Sequence, residues 1–155
     1  MSRLFLVLFV GVSVTAGGSA MLTAQDIGYD SSALRVEGHV GDVRIVRGAD
    51  GTVLGRIGVF RGIDVAKLVS KSEKATVEAK KFSHDYGPGT WLAALGIATL
   101  GAAIGVSRIQ DMNSSITAGL TLAGTGLIAY GGGRLESAYN ALSRSIWWYN
   151  RDLRR

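Results

Sequence analysis

Residues 91–106 read WLAALGIATLGAAIGV and residues 116–133 read ITAGLTLAGTGLIAYGGG, two uncharged runs separated by the polar stretch 107–115. At about 1.5 Å of rise per residue each run makes a helix of roughly 24 to 27 Å. That is slightly under the ~30 Å hydrocarbon core of a bilayer, and flanking residues supply the remainder. Standing back to back, the runs predict a glycine-rich helical hairpin over residues 90–133 that crosses a membrane. A hairpin buried in a soluble core is the other arrangement such runs allow.

Glycine disfavours a helix by about 1 kcal/mol relative to alanine, so its abundance here requires an offset. Close approach of two helices provides one. Ala94, Ala98, Gly101 and Gly105 recur at spacings of three and four in the first run, as do Gly119, Ala123 and Gly126 in the second. These seven are the expected helix-packing residues, because in lipid small faces let backbones approach and gain dispersion contacts. One such face per helix predicts a tight contact within the chain, with any oligomer formed through the outer faces or the C-terminal helix. Thr117, Thr121 and Thr125 have carbonyls within reach for their hydroxyls and need not line a pore.

The whole chain has 155 residues, 47% of them hydrophobic, with 22 glycines, one proline and no cysteine. Its mean hydropathy is +0.24. That leaves room for one small domain beside the hairpin. Without cysteine, neither disulfides nor cysteine-based zinc or thiol chemistry is open to it. Seventeen basic against twelve acidic residues give a net charge of +5. Such a charge suits anionic headgroups or nucleic acid, and the apolar runs favour lipid.

Residues 1–24 carry Arg3, the apolar segment LFLVLFVGVSV (4–14) and a small-residue tail. They read as a secretory signal peptide cleaved after Ala20 or Ala24, with an uncleaved N-terminal anchor as the alternative. Residues 25–61 turn to short alternating strands: 34–40, 43–47 and 52–60. Gly48, Ala49, Asp50 and Gly51 mark a tight turn that pairs the last two as an antiparallel hairpin. Val43, Ile45, Val53 and Ile57 are expected to face inward, and Asp42, Arg44 and Arg56 to face water.

Residues 62–86 read as an amphipathic basic helix. Val65, Leu68, Val69, Ser72, Ala75, Ala79 and Phe82 form its stripe, and Lys67, Lys71, Lys74, Lys80 and Lys81 lie opposite. Gly87, Pro88 and Gly89 are expected to end it. Residues 134–155 form another amphipathic helix, with Trp147, Trp148 and Tyr149 among Arg144, Arg151, Arg154 and Arg155. Together with Trp91, those three aromatics are the expected membrane-interface residues. The fold class expected is therefore a mainly α membrane protein: a two-helix transmembrane hairpin with a small antiparallel β segment and flanking amphipathic helices.

The lysine-rich run AKLVSKSEKATVEAKKF, the glycine-rich hairpin and the ending LESAYNALSRSIWWYNRDL occur together over residues 52–153. This combination resembles a loose group of uncharacterised bacterial exported envelope proteins. The most distinctive part is the ending A-x-x-x-L-x-x-x-I-x-x-Y-N, carried by Ala138, Leu142, Ile146, Tyr149 and Asn150. The resemblance implies an architecture and no catalytic residues.

Topology poses a conflict. A cleaved signal places both basic flanks of the hairpin outside the inner membrane, whereas short basic flanks normally stay cytoplasmic. The link between the runs holds one base and one acid, Arg108 and Asp111.

Reactive chemistry finds little footing. His39 and His84 have no second ligand at metal-binding spacing, no G-x-S-x-G elbow occurs, and GTGLIAYGGG lacks the G-K-[ST] of a phosphate loop. No cofactor, metal or catalytic residue is expected, and nucleic acid is not an expected partner. The expected function is that of a non-enzymatic integral envelope protein, structural or accessory, in the inner rather than the outer membrane, with an exported N-terminal region. Its partners would be the lipid bilayer and further copies or a larger membrane complex. The alternative is an exported, membrane-anchored enzyme or ligand-binding module with its site at residues 34–57, around Arg35, Glu37, His39 and Asp42.

Overall fold

Alternating residues and a glycine-flanked turn give three strands, β1 (Leu34–His39), β2 (Asp42–Arg47) and β3 (Thr52–Ile57), paired antiparallel in the order β1-β2-β3. The computed structural model describes residues 30–39, 42–58, 62–108 and 114–155, with the His39 side chain excepted. The signal-peptide reading of residues 1–24 and the acid Asp111 lie outside the described residues. Gly48 and Gly51 have φ of +72° and +67°, the left-handed region that disfavours a Cβ, and this fixes the turn between β2 and β3.

A bulge between Ile45 and Val46 changes the expected facing. Ile45 pairs with Gly55 and Val46 with Val53, so both Ile45 and Val46 are buried while Val53 is 46% exposed. The inward placement expected of Val53 is thereby corrected.

Three helices follow: α1 (Val65–Leu68), α2 (Glu73–Ser107) and α3 (Ser114–Asp152). Two expected boundaries are corrected. The helix expected over residues 62–86 is broken at Ser72, whose Oγ accepts from the Ala75 amide at 3.3 Å and so caps α2. Its own hydroxyl donates to Asp152 Oδ2 at 2.5 Å, tying the start of α2 to the end of α3. Further along, Gly87, Pro88 and Gly89 do not stop the helix. Pro88 removes the amide that would bond the His84 carbonyl, yet α2, 35 residues in all, continues through it, because packing on both sides outweighs that loss. Likewise Gly131, Gly132 and Gly133 lie inside α3. The four helical segments expected at 62–86, 90–106, 116–133 and 134–155 thus form one short and two long helices.

The core lies at one end of the molecule. Leu34, Ile45 and Ile57 from the sheet and Val65 and Val69 around α1 meet Ala75, Ala79 and Phe82 of α2 and Ala138, Leu142, Ile146 and Tyr149 of α3. Ser145, fully buried, donates to the Ala75 carbonyl at 2.9 Å across the helix pair. The side-chain amide of Asn150 finishes the edge of the sheet. It accepts from the Leu34 amide and donates to the Leu34 carbonyl, both at 2.8 Å, as a neighbouring strand would.

Candidate functional site

Helices α2 and α3 run antiparallel along a single seam. Ala75, Ala79, Phe82, Tyr86, Gly89, Ala93, Gly96, Leu100 and Ala103 follow one another at alternating steps of four and three. Gly124, Ile128, Gly131, Leu135, Ala138, Leu142, Ser145 and Tyr149 do the same. Every buried residue of α2 lies on its series, and so do most of those on α3. That alternation is the 3.5-residue repeat of supercoiled helices.

Away from the core the seam closes on glycine. A Cβ on Gly96 would lie 2.6 Å from Ile128 Cγ1 and 2.7 Å from the Gly124 carbonyl, and one on Gly124 would lie 2.8 Å from Leu100 Cγ. On Gly131 it would meet the Ala93 amide nitrogen at 2.6 Å and the Gly89 carbonyl at 2.9 Å. The backbones are close enough there that only glycine fits.

The helix-packing assignment is corrected accordingly. A Cβ on Gly101, Gly105, Gly119 or Gly126 would meet nothing within 4 Å. Ala98 and Ala123 are exposed and Ala94 is half-buried. With 3.6 residues per turn, the face Ala94, Ala98, Gly101, Gly105 lies on the side of the helix away from the seam. Each helix carries two sets of small residues at helical spacing, and spacing alone does not choose between them. Phase decides: the large residues Phe82 and Leu142 fix which side of each helix faces the other, and the 3.5-residue repeat carries that side to the far end.

The far half of the pair exposes apolar surface to its surroundings. Trp91, Leu95, Ile97 and Ile104 on α2 and Ile116, Leu122 and Tyr130 on α3 are all exposed, Leu122 to 76%. Helix α2 is long and apolar enough to cross a membrane, with a mean hydropathy of 1.6 over its most apolar window, of which 17% is buried. A core helix of a water-soluble fold would be mostly buried. Three hydroxyls in this half are satisfied within their own helix. Thr99 donates to the Leu95 carbonyl, Thr121 to that of Thr117 and Ser107 to that of Ile104, each at 2.8 Å.

Charge returns where the uncharged runs stop. Asp85 on α2 lies 3.9 Å from Arg134 on α3 and accepts from the Ser137 hydroxyl at 3.1 Å. Arg134 also lies 5.6 Å above the Tyr130 ring. Tyr86 packs edge-on against Tyr139, with ring centroids 6.0 Å apart. Burial, with Tyr139 beside it, pushes the Tyr86 hydroxyl above its ordinary pKa.

The expected interface residues separate. Trp91 stands at the start of the apolar half and is 64% exposed, whereas Tyr149 is buried in the core. Trp148 is half-buried beneath Lys74 and Arg151, at 4.5 and 5.0 Å, and Trp147 lies edge-on to it. Trp147 stands seventeen residues beyond Tyr130 on one continuous helix, roughly 25 Å along its axis. Trp147 and Trp91 therefore stand at different levels along the helix pair. A cavity of about 280 Å³ beside it is lined by Trp147, Asn150, Arg151 and Arg154.

The strand cluster divides: Arg56 is exposed as expected, but the side chains of Asp42 and Arg44 are only 20% and 26% exposed, which corrects the water-facing placement expected of those two. Arg35 and Glu37, each half exposed, lie 3.5 Å apart, and Asp42 lies between Arg44 at 3.7 Å and Arg56 at 3.9 Å. Among the described residues no group of three His, Asp or Glu side chains could hold a metal ion. No protein-family model, no curated protein and no solved structure matches this chain.

Proposed function

We propose that the protein is a non-enzymatic integral membrane protein of the bacterial cell envelope, held in the inner membrane by α2 and α3 as a transmembrane hairpin. Its part is structural or accessory, within a set of copies of itself or a larger membrane assembly. The sheet, α1 and the core-forming halves of the long helices stand as a small domain at the membrane surface.

The observation that carries this reading is the division of the helix pair. One half buries its large residues in a core, and the other turns them outward with no charged side chain over residues 91–106 and 116–133. Exposed leucine and isoleucine gain nothing in water and are at home in hydrocarbon. Internally bonded threonines and a glycine-tight seam match what lipid demands of a helix pair. Asp85, Arg134, Tyr130 and Trp91 then fall at the level of the headgroups.

Washing membranes with alkaline carbonate tests the reading. The protein is expected to remain in the pellet and to float with vesicles; release as a soluble monomer would overturn it.

A further inference from the structure

Strand β1 is an edge of the sheet. Along one side lies β2, and on the other the Asn150 amide occupies the backbone of Leu34 alone. Ala33, one residue earlier, turns its carbonyl the other way, to the Gly48 amide. Alternate residues of a strand present N–H and C=O to the same side, so those of Val36 and Gly38 share the open side with Leu34. Among the described residues nothing bonds them there. Val36 is 40% exposed, and an added Cβ on Gly38 would meet nothing within 4 Å. Such an edge is a template for a further strand.

Positive charge gathers where that edge meets α3. Asn150 also lines the cavity of about 280 Å³, together with Trp147, Arg151 and Arg154. The Arg151 guanidinium lies 5.3 Å from the Trp147 ring centre and 5.0 Å from that of Trp148, and the Lys74 ammonium lies 4.5 Å from the latter. Two cations thus share one indole, and among the described residues neither is paired with a carboxylate. Asp152, next to Arg151 in the chain, is held by the Ser72 hydroxyl. Cations gathered on one ring repel, and a carboxylate beside them offsets that repulsion.

We propose that β1 and the Trp147 cavity together bind an extended acidic segment of a partner protein. Its backbone adds a strand at Val36 and Gly38, and its carboxylates enter the cavity beside Arg151. This is the chemistry of the subunit that a larger membrane assembly brings to the small domain. The open edge selects a polypeptide over a nucleic acid, which has no ladder of N–H and C=O groups to offer. On the membrane reading above, on which the next step rests, lipids of the host membrane are out of reach. Arg151 stands seventeen residues beyond Arg134 on α3, roughly 25 Å along its axis, and headgroup charge is screened within about 8 Å at physiological salt. A second copy is disfavoured. With Leu34 taken, an antiparallel pair of β1 strands that uses both Val36 and Gly38 is centred on Glu37 and sets two carboxylates opposite one another.

The test uses full-length protein in detergent and a fluorescein-labelled peptide of alternating valine and glutamate, with binding read by anisotropy. The peptide is expected to bind, and Arg151→Glu and Val36→Pro are each expected to weaken it about tenfold or more. Lys81→Glu, an equal change of charge at an exposed position of α2, is expected to leave binding within about twofold. Proline at Val36 removes an amide that bonds nothing in the free protein, a substitution that a sheet edge tolerates. Amide exchange at Gly38 is expected to slow when the peptide binds. Absence of binding, or equal weakening by Arg151→Glu and Lys81→Glu, would overturn the proposal. So would tighter binding of a single-stranded oligonucleotide or of phosphatidylglycerol vesicles than of the peptide, or protection of Gly38 that grows with protein concentration and needs no peptide. A protein that carbonate releases yet that binds the peptide defeats the membrane reading alone, whereas a membrane-retained protein that binds none defeats this inference alone.

Discussion

A methyl group added at Gly131 points at the backbone of Ala93, and one added at Gly126 points at open space. Gly131→Ala must push the helices apart, and overpacking of this kind costs about 1 to 3 kcal/mol. Gly126→Ala should instead be neutral or stabilising by up to ~1 kcal/mol, the difference in helix propensity. Thermal unfolding in detergent compares them directly: Gly131→Ala is expected well below wild type and Gly126→Ala at or above it. Asn150 is the other residue whose work is individual. Asn150→Ala strips both partners from Leu34 at the sheet edge and should cost about 1 to 3 kcal/mol. Amide exchange reads it at one site, with Leu34 expected to exchange much faster in the variant than in wild type.

Among the elements, the strands were legible because alternation is a local signal: a period of two picks out Val43, Ile45 and Ile57, which the core holds, until the bulge at Ile45 and Val46 breaks the count. The amphipathic stripe from Val65 to Phe82 was equally legible, and so was the buried side of residues 138–149. The helix ends were not. Pro88 and the three glycines at 131–133 carry stop signals as strong as any in the chain, and both lie inside long helices. Their local cost is outweighed by contacts made with residues more than forty positions away, which no window of sequence contains. The packing faces failed for a related reason. Small residues repeat on two sides of each helix, and only the seam running up from Phe82 and Leu142 selects one. Following the alternating four-and-three spacing through the supposed breaks would have found it. A prediction belongs to this scale: since α2 is already continuous, Pro88→Ala restores an amide to the His84 carbonyl and should raise the unfolding temperature in detergent. A fall would mean that the helix depends on the proline.

At the scale of the whole molecule, one pair of helices has two unlike halves. Its core end is stapled to the sheet by Ser72, Ser145 and Asn150, and its far end is dressed in isoleucine, leucine and aromatic side chains. The division between the halves falls at Asp85 and Arg134. Residues that an isolated chain exposes equally should then differ in their access to water. Val77, in the core half, is 62% exposed, while Ile97 and Leu122, in the far half, are 64% and 76% exposed. The most direct test places a single cysteine at each of these positions and treats permeabilised membrane vesicles with a charged maleimide. The account predicts rapid labelling of Val77→Cys and negligible labelling of Ile97→Cys and Leu122→Cys. Labelling of all three at the same rate would contradict it.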